Sequence, residues 1–224
     1  IARYSRQLEA QIITLVGQAL KDLEPVELFA QNGVTRFQVN RRNNKEASLR
    51  EQTELKGPND YAVPVIKAVT ANGKLKAVAF GYACHPTVLD IYQFSGDYPG
   101  FAQIELEKAH PGVTALFFQG AAGDQNPLPR RTISLARQYG RELAAAVDRV
   151  LEEPMRSLPA QLQTAYSEIA LPLSTPPTEA ELIKTQSETI PYLQRWATRT
   201  LAEMKQGKPF ITSYSYPLQI WKLG

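Results

Sequence analysis

Three short stretches carry residue types that hydrolytic chemistry needs. They are Tyr82-Ala83-Cys84-His85-Pro86-Thr87, Ser95-Gly96-Asp97-Tyr98-Pro99-Gly100-Phe101-Ala102 and Phe118-Gln119-Gly120-Ala121-Ala122-Gly123-Asp124-Gln125-Asn126-Pro127. His85 ends an apolar run that reads as a buried strand, and a proline follows it. A neutral imidazole so placed can give one nitrogen to a metal while a neighbour holds the other. It can equally be a loop histidine bonded to a backbone carbonyl. Ser95 and Asp97 fall where a helix starts, so either can cap its free amides. The functional alternative turns the amides around Gly96 towards a ligand or oxyanion. Gly123 to Pro127 follows a second apolar run, where α/β folds place ligand-binding loops. There Gln125 or Asn126 can donate to a developing negative charge. A plain Asx turn accounts for the same residues.

These loops need a scaffold, and the pattern of the chain supplies one. Tyr4, Leu8, Ile12, Leu15, Val16, Ala19 and Leu23 recur at helical spacing, and Pro25 closes the helix. Val26–Ala30 and Val34–Val39 flank Gln31-Asn32-Gly33, which predicts a hairpin, because Asn-Gly tolerates positive φ. Tyr61–Thr70 and Leu75–Ala83 predict a second hairpin around Ala71-Asn72-Gly73-Lys74. Asp97–Ala109 predicts a helix, and Val113–Phe118 predicts a strand buried on both faces. A long helix is expected over Thr132–Glu152 and a strand over Leu162–Ala170. Another helix is expected from Thr178 to Met204, kinked or split at Pro191, and a strand over Ile211–Leu223. Strands alternating with helices, together with hairpins, predict an α/β fold: a mixed β-sheet with helices packed on its faces, as a single domain over 1–224.

Composition limits the partners. The 224 residues carry a formal net charge of +3 with basic residues scattered, which makes no case for nucleic acid. No apolar run reaches the roughly 20 residues that span a bilayer. One cysteine and two histidines, His85 and His110, exclude an intrachain disulfide, a thiolate cluster and a three-histidine zinc site within this chain. His110 follows a helix and is expected to cap carbonyls or face solvent. The chain opens without Met and stops in a strand-like run, so it reads as an internal piece of something longer. Oligomeric state is not legible.

Taken in order, several segments resemble the catalytic domain of the neutral/alkaline, non-lysosomal ceramidase family. They are Asn40-Arg41-Arg42, the strand Asp60 to Ile66, Ala83 to Thr87, Ser95 to Ala102, Phe117 to Gln119 with Gly123 to Pro127, and Leu218 to Gly224. Ser95 to Ala102 looks like the family's Ser-Gly-Asp-x-x-Gly-Tyr-Ala segment, and Gly123 to Pro127 like its Gly-Asp-Val-Ser-Pro loop. The likeness is clearest from Asn40 to Arg130. It implies a zinc ion held by two His, a Glu and a Tyr, with His85 as the second His. The other His would lie upstream of Ile1, and Glu and Tyr beyond Gly224. The implied site is His85 on the metal, Asp97, Asp124 and Asn126 in catalytic positions, and Arg41, Gly96 and Gln125 toward a small lipid-like amide substrate. Asn126 stands where the family has serine, and an amide has no ionisable hydroxyl to serve as a nucleophile. Asn126 would then be an oxyanion donor, a role worth about 3 kcal/mol elsewhere. The alternatives are a non-catalytic relative, or a zinc hydrolase for another amide or ester. The family is commonly secreted or membrane-associated.

Overall fold

The computed structural model describes residues 2–224, with the Arg50 side chain left aside. Two compact units appear, 1–160 and 161–224. The first contains α1 (Ala2–Lys21), β1 (Val26–Val34), β2 (Gln38–Asn40), β3 (Ala62–Thr70), β4 (Leu75–Tyr82), α2 (Asp97–Ala109), β5 (Thr114–Gln119), β6 (Gln125–Pro127), α3 (Ile133–Glu152) and β7 (Arg156–Leu158). A 3-10 helix lies at Glu46–Glu51. The second unit contains β8 (Leu162–Pro172), α4 (Glu179–Gln186), α5 (Pro191–Lys205) and β9 (Ser213–Leu223). There Pro191 splits the expected helix, occupying its own first turn. β8 and β9 pair antiparallel along their whole length.

The main sheet has the order β5-β4-β3-β1-β7. β4 and β5 run parallel, and the other pairs are antiparallel, so the sheet is mixed as expected. Alternate residues of β3 and β4 (Val63, Val65, Val78, Phe80, Tyr82) form one core with Tyr98, Ala102 and Leu106 of α2 and Leu143, Val147 and Val150 of α3. Each fully buried side chain of this size contributes about 1.5–3 kcal/mol relative to exposure. Gly140 lets the two helices touch. A Cβ there would lie 2.5 Å from the Phe101 Cβ and 3.0 Å from the Ala102 nitrogen.

The first expected hairpin does not form. β1 runs straight through Asn32-Gly33 and pairs with β3 from Val26 to Val34. Its glycine serves packing rather than a turn: a Cβ at Gly33 would sit 2.9 Å from both the Ala146 carbonyl oxygen and a Val150 methyl of α3. Helix approach therefore outweighs local turn propensity. The second hairpin forms as expected. The expected burial of Val113–Phe118 on both faces also fails. β5 is the sheet's edge, and Leu116 and Phe118 are 52% and 43% exposed. Helix α2 packs on β5, whose Ala115 is buried in the core.

Candidate functional site

Because β4 and β5 are parallel, the chain leaves both at the same edge, and His85 and the Gly120–Pro127 segment emerge together. The junction is made by backbone atoms. His85 N–H donates to the Gln125 carbonyl at 3.0 Å. The His85 ring Nδ1 lies 2.8 Å from that same oxygen. A carbonyl only accepts, so Nδ1 carries the hydrogen, and in the neutral ring Nε2 presents a lone pair. The carbonyl contact is the one the sequence offered as the alternative to a metal ligand.

β6 pairs antiparallel with β2, placing Asn40 opposite Gln125 and Val39 opposite Asn126. Asn40 is the hub, and sequence reasoning noticed it only as a neighbour of arginines. Its amide donates to the Asp124 carboxylate at 2.7 Å and to the Pro58 carbonyl at 3.1 Å. Its side-chain oxygen accepts from the N–H groups of Arg42 and Asn43. Gln125 also donates to the Pro58 carbonyl (2.8 Å) and to Asp124 (3.1 Å). Two buried amides thus converge on one loop carbonyl. Gln125 keeps its own side-chain oxygen buried without a donor among the described residues.

Arg41 curls back on the third loop. Its N–H donates to the Asp124 carbonyl at 2.7 Å. Its guanidinium donates to the Gly123 carbonyl at 3.0 and 3.3 Å. Asn126 is buried, and its side-chain amide makes no hydrogen bond with any described residue. By strand alternation it projects from the face opposite Asn40 and Gln125. Its neighbour Gln125 carries the carbonyl that holds His85.

Asp97 organises backbone. Its carboxylate accepts N–H bonds from Val88 (3.2 Å), Leu89 (2.9 Å) and Tyr98 (2.7 Å). Its φ of 52° is held by this net. Ser95 Oγ accepts from Asp97 N–H at 3.0 Å. The two together fasten the segment after His85 to the start of α2. Gly96, the residue before α2, packs tightly: a Cβ there would lie 2.9 Å from the Gly100 Cα. His110 ends α2, donating its N–H to the Leu106 carbonyl, and its Nε2 lies 2.8 Å from Asp148 of α3. The structure therefore gathers His85, Arg41, Asp124, Gln125 and Asn126 at one junction. Asp97 and Gly96 shape the loop beside it.

Beneath lies an aromatic nest whose hydroxyls aim at the loops. Phe37 stacks on Tyr139 at 4.7 Å and meets Tyr98 edge-on at 5.0 Å. Tyr98 donates to the Cys84 carbonyl (2.6 Å), Tyr82 to Thr35 (3.1 Å) and Tyr139 to Pro129 (2.6 Å). Burial pushes the Tyr82 and Tyr98 hydroxyls well above the usual phenol range and that of Tyr139 up to about 12. All three therefore remain donors at neutral pH. Burial likewise pushes the Cys84 thiol up, so it supplies no thiolate nucleophile.

Among the described residues no group of three or more His, Cys, Asp or Glu could hold a metal ion. The described residues around His85 do not by themselves complete a zinc shell. No described helix is long and apolar enough to cross a membrane.

The fold of this chain is similar to that of part of two solved ceramidases. The solved neutral ceramidase from Pseudomonas aeruginosa superposes with a TM-score of 0.63 at 19% identity, over 93% of this chain and 40% of that one. A ceramidase complexed with C2 gives 0.64 at 19% identity, over 93% and 42%. The chain thus spans about two-fifths of the length of these structures. No family model matches the sequence, and no curated protein matches it.

Proposed function

We propose that this chain is an internal portion of one ceramidase-like catalytic domain, a zinc-dependent hydrolase that cleaves the amide bond of a small lipid-like substrate. The observation that carries this reading is the His85 ring, held through Nδ1 by the Gln125 carbonyl so that Nε2 is offered to a metal. The ceramidase fold supports it. The remaining metal donors must come from residues outside these 224. When bound, zinc polarises a scissile carbonyl and lowers the pKa of a coordinated water. Asn126, with its amide unengaged, donates to the developing oxyanion in place of a serine hydroxyl. Arg41, Gly96 and Gln125 shape the approach of the substrate, and Asp97 and Asp124 hold the loops in register. By the same likeness, the protein works outside the cell or at a membrane.

The test is metal content and hydrolysis of a short-chain fluorescent ceramide by the intact protein and its His85→Ala variant. The reading expects both to fall in the variant. Undiminished zinc and undiminished turnover would end it. Asn126 in the serine position favours a second reading, a binding relative without chemistry. Turnover by the intact protein that a chelator abolishes would eliminate that one, and a different amide or ester as the preferred substrate would narrow the first.

A further inference from the structure

Asn40 closes β2 as a buried side chain with one possible orientation. Its Nδ2 faces the Asp124 carboxylate and the Pro58 carbonyl, which both need a donor. Its Oδ1 faces the N–H groups of Arg42 and Asn43, at 3.0 and 3.2 Å, which both need an acceptor. The Asn40 carbonyl accepts from the N–H of Asn44 at 3.1 Å and from its side-chain amide at 2.8 Å. Gly57 closes the site from the side, since a Cβ there would lie 2.9 Å from the Asn40 Cγ. Neither a flip of the amide nor a larger neighbour is accommodated.

What this side chain fixes is the strand that holds the imidazole. The Asp124 carbonyl turns towards β2 and accepts from Arg41 N–H, and the next carbonyl, that of Gln125, turns the other way to His85. β6 thus lies between β2 and the His85 segment. It is three residues long and pairs with β2 alone, so its ladder bonds are few. The Asn40–Asp124 bond spans the same two strands and is strengthened by the carboxylate charge. Asp124 forms no ion pair among the described residues. Its two oxygens are taken instead by the amides of Asn40 and Gln125, at 2.7 and 3.1 Å. The position of the Gln125 peptide therefore depends on Asn40 through Asp124.

We propose that Asn40 is a positioning residue for His85: by holding Asp124 it sets the Gln125 carbonyl, which keeps the hydrogen on Nδ1 and leaves Nε2 free for a metal. This role rests on the zinc reading of His85 for its purpose. Asn40→Asp sets two carboxylates against each other, and Asp124→Asn turns an N–H group towards one of the two amides that donate to it. The exchanged pair, carrying both changes, again has a donor facing an acceptor, and the Pro58 carbonyl keeps its bond from Gln125. Outer partners of a ligating histidine change metal affinity by about 10–100-fold. In the intact protein each single variant is therefore expected to bind zinc about tenfold more weakly, measured by competition with a chelator. The exchanged pair is expected to recover most of that loss. Urea midpoints of the zinc-free proteins are measured alongside. Lower midpoints with unchanged zinc affinity would make Asn40 a purely structural residue and overturn the role. An exchanged pair that binds zinc no better than the weaker single variant overturns it too. Where Asn40→Asp does not fold, Asn40→Ser replaces it and must show the same loss of affinity. If the unaltered protein binds no zinc, the metal reading fails, and the positioning role is decided by NMR of isotope-labelled histidine. His85, assigned by its absence from His85→Ala, should carry its hydrogen on Nδ1 in the unaltered protein and divide between tautomers in the Asn40 variant. The same tautomer in both overturns the role.

Discussion

The Tyr98 hydroxyl, in the first turn of α2, donates a 2.6 Å hydrogen bond to the carbonyl of Cys84, the residue that precedes His85. A helix thereby fixes the main chain on which the candidate ligand rides. Tyr98→Phe keeps the ring packing and deletes only this bond. It should cost about 1–2 kcal/mol by leaving a buried carbonyl unpaired, read as a lower denaturant midpoint at unchanged slope. No change in midpoint would show that the carbonyl finds another donor.

The three buried phenols make the fold sensitive to alkali. Their folded pKa values are raised by burial, that of Tyr139 to about 12. The neutral form is the one that folding requires, so this stability is fully present below the ordinary phenol value near 10 and is lost as pH rises through the folded values. Ultraviolet titration of phenolate should show these three ionising together with loss of tertiary signal. Ionisation of all tyrosines with the fold intact would contradict the nest.

Acid should act elsewhere. The Arg130 guanidinium, hydrogen-bonded to Glu46, holds that carboxyl below its usual range. A depressed folded value gives stability that is present above the unfolded value near 4.5 and is lost as pH falls through the folded one. The pair is partly exposed, so its worth is under about 1 kcal/mol. Glu46→Gln should be slightly less stable than the unaltered protein at pH 7, and the gap should narrow as pH falls below about 4.5, measured by urea midpoints.

Asp97 offers a graded test. Asp97→Ala removes three acceptor contacts and leaves an alanine at a φ of 52°, which should cost about 2–4 kcal/mol. Asp97→Asn tolerates that φ and keeps one carbonyl oxygen, so it should cost clearly less. Equal losses in calorimetry would mean that backbone strain plays no part.

Gly33→Ala should destabilise by about 1–3 kcal/mol, because the added methyl meets the backbone of α3. The same position shows where sequence reading stopped. Asn32-Gly33 has the local chemistry of a turn, and only the helix lying across β1, more than a hundred residues later in the chain, explains the glycine. Periodicity did reveal α2, α3 and the hairpin of β3 with β4, since each buries a stripe that its own spacing records; it revealed α1 as a helix too, although the α1 stripe is exposed. The edge position of β5 was invisible for the converse reason: an apolar run does not say how many of its faces are covered.

At the site, His85, Asp124, Gln125 and Asn126 were legible from residue type and place after strands. Asn40 was not, because its role depends on the pairing of two three-residue strands, β2 and β6, which brings it to Asp124, 84 positions later in the chain. The tyrosine hydroxyls were hidden likewise, since a buried phenol reads in sequence as another core aromatic.

The oxygen that steadies the His85 ring belongs to the peptide unit of residue 125, not to any side chain. No single replacement at 125 can delete it, so the imidazole's proton arrangement is protected against ordinary point mutation there. It is vulnerable instead to insertions or deletions that re-route the loop. Variation among homologous sequences should therefore spare the length of the segment from Gly120 to Pro127 more strictly than its spelling.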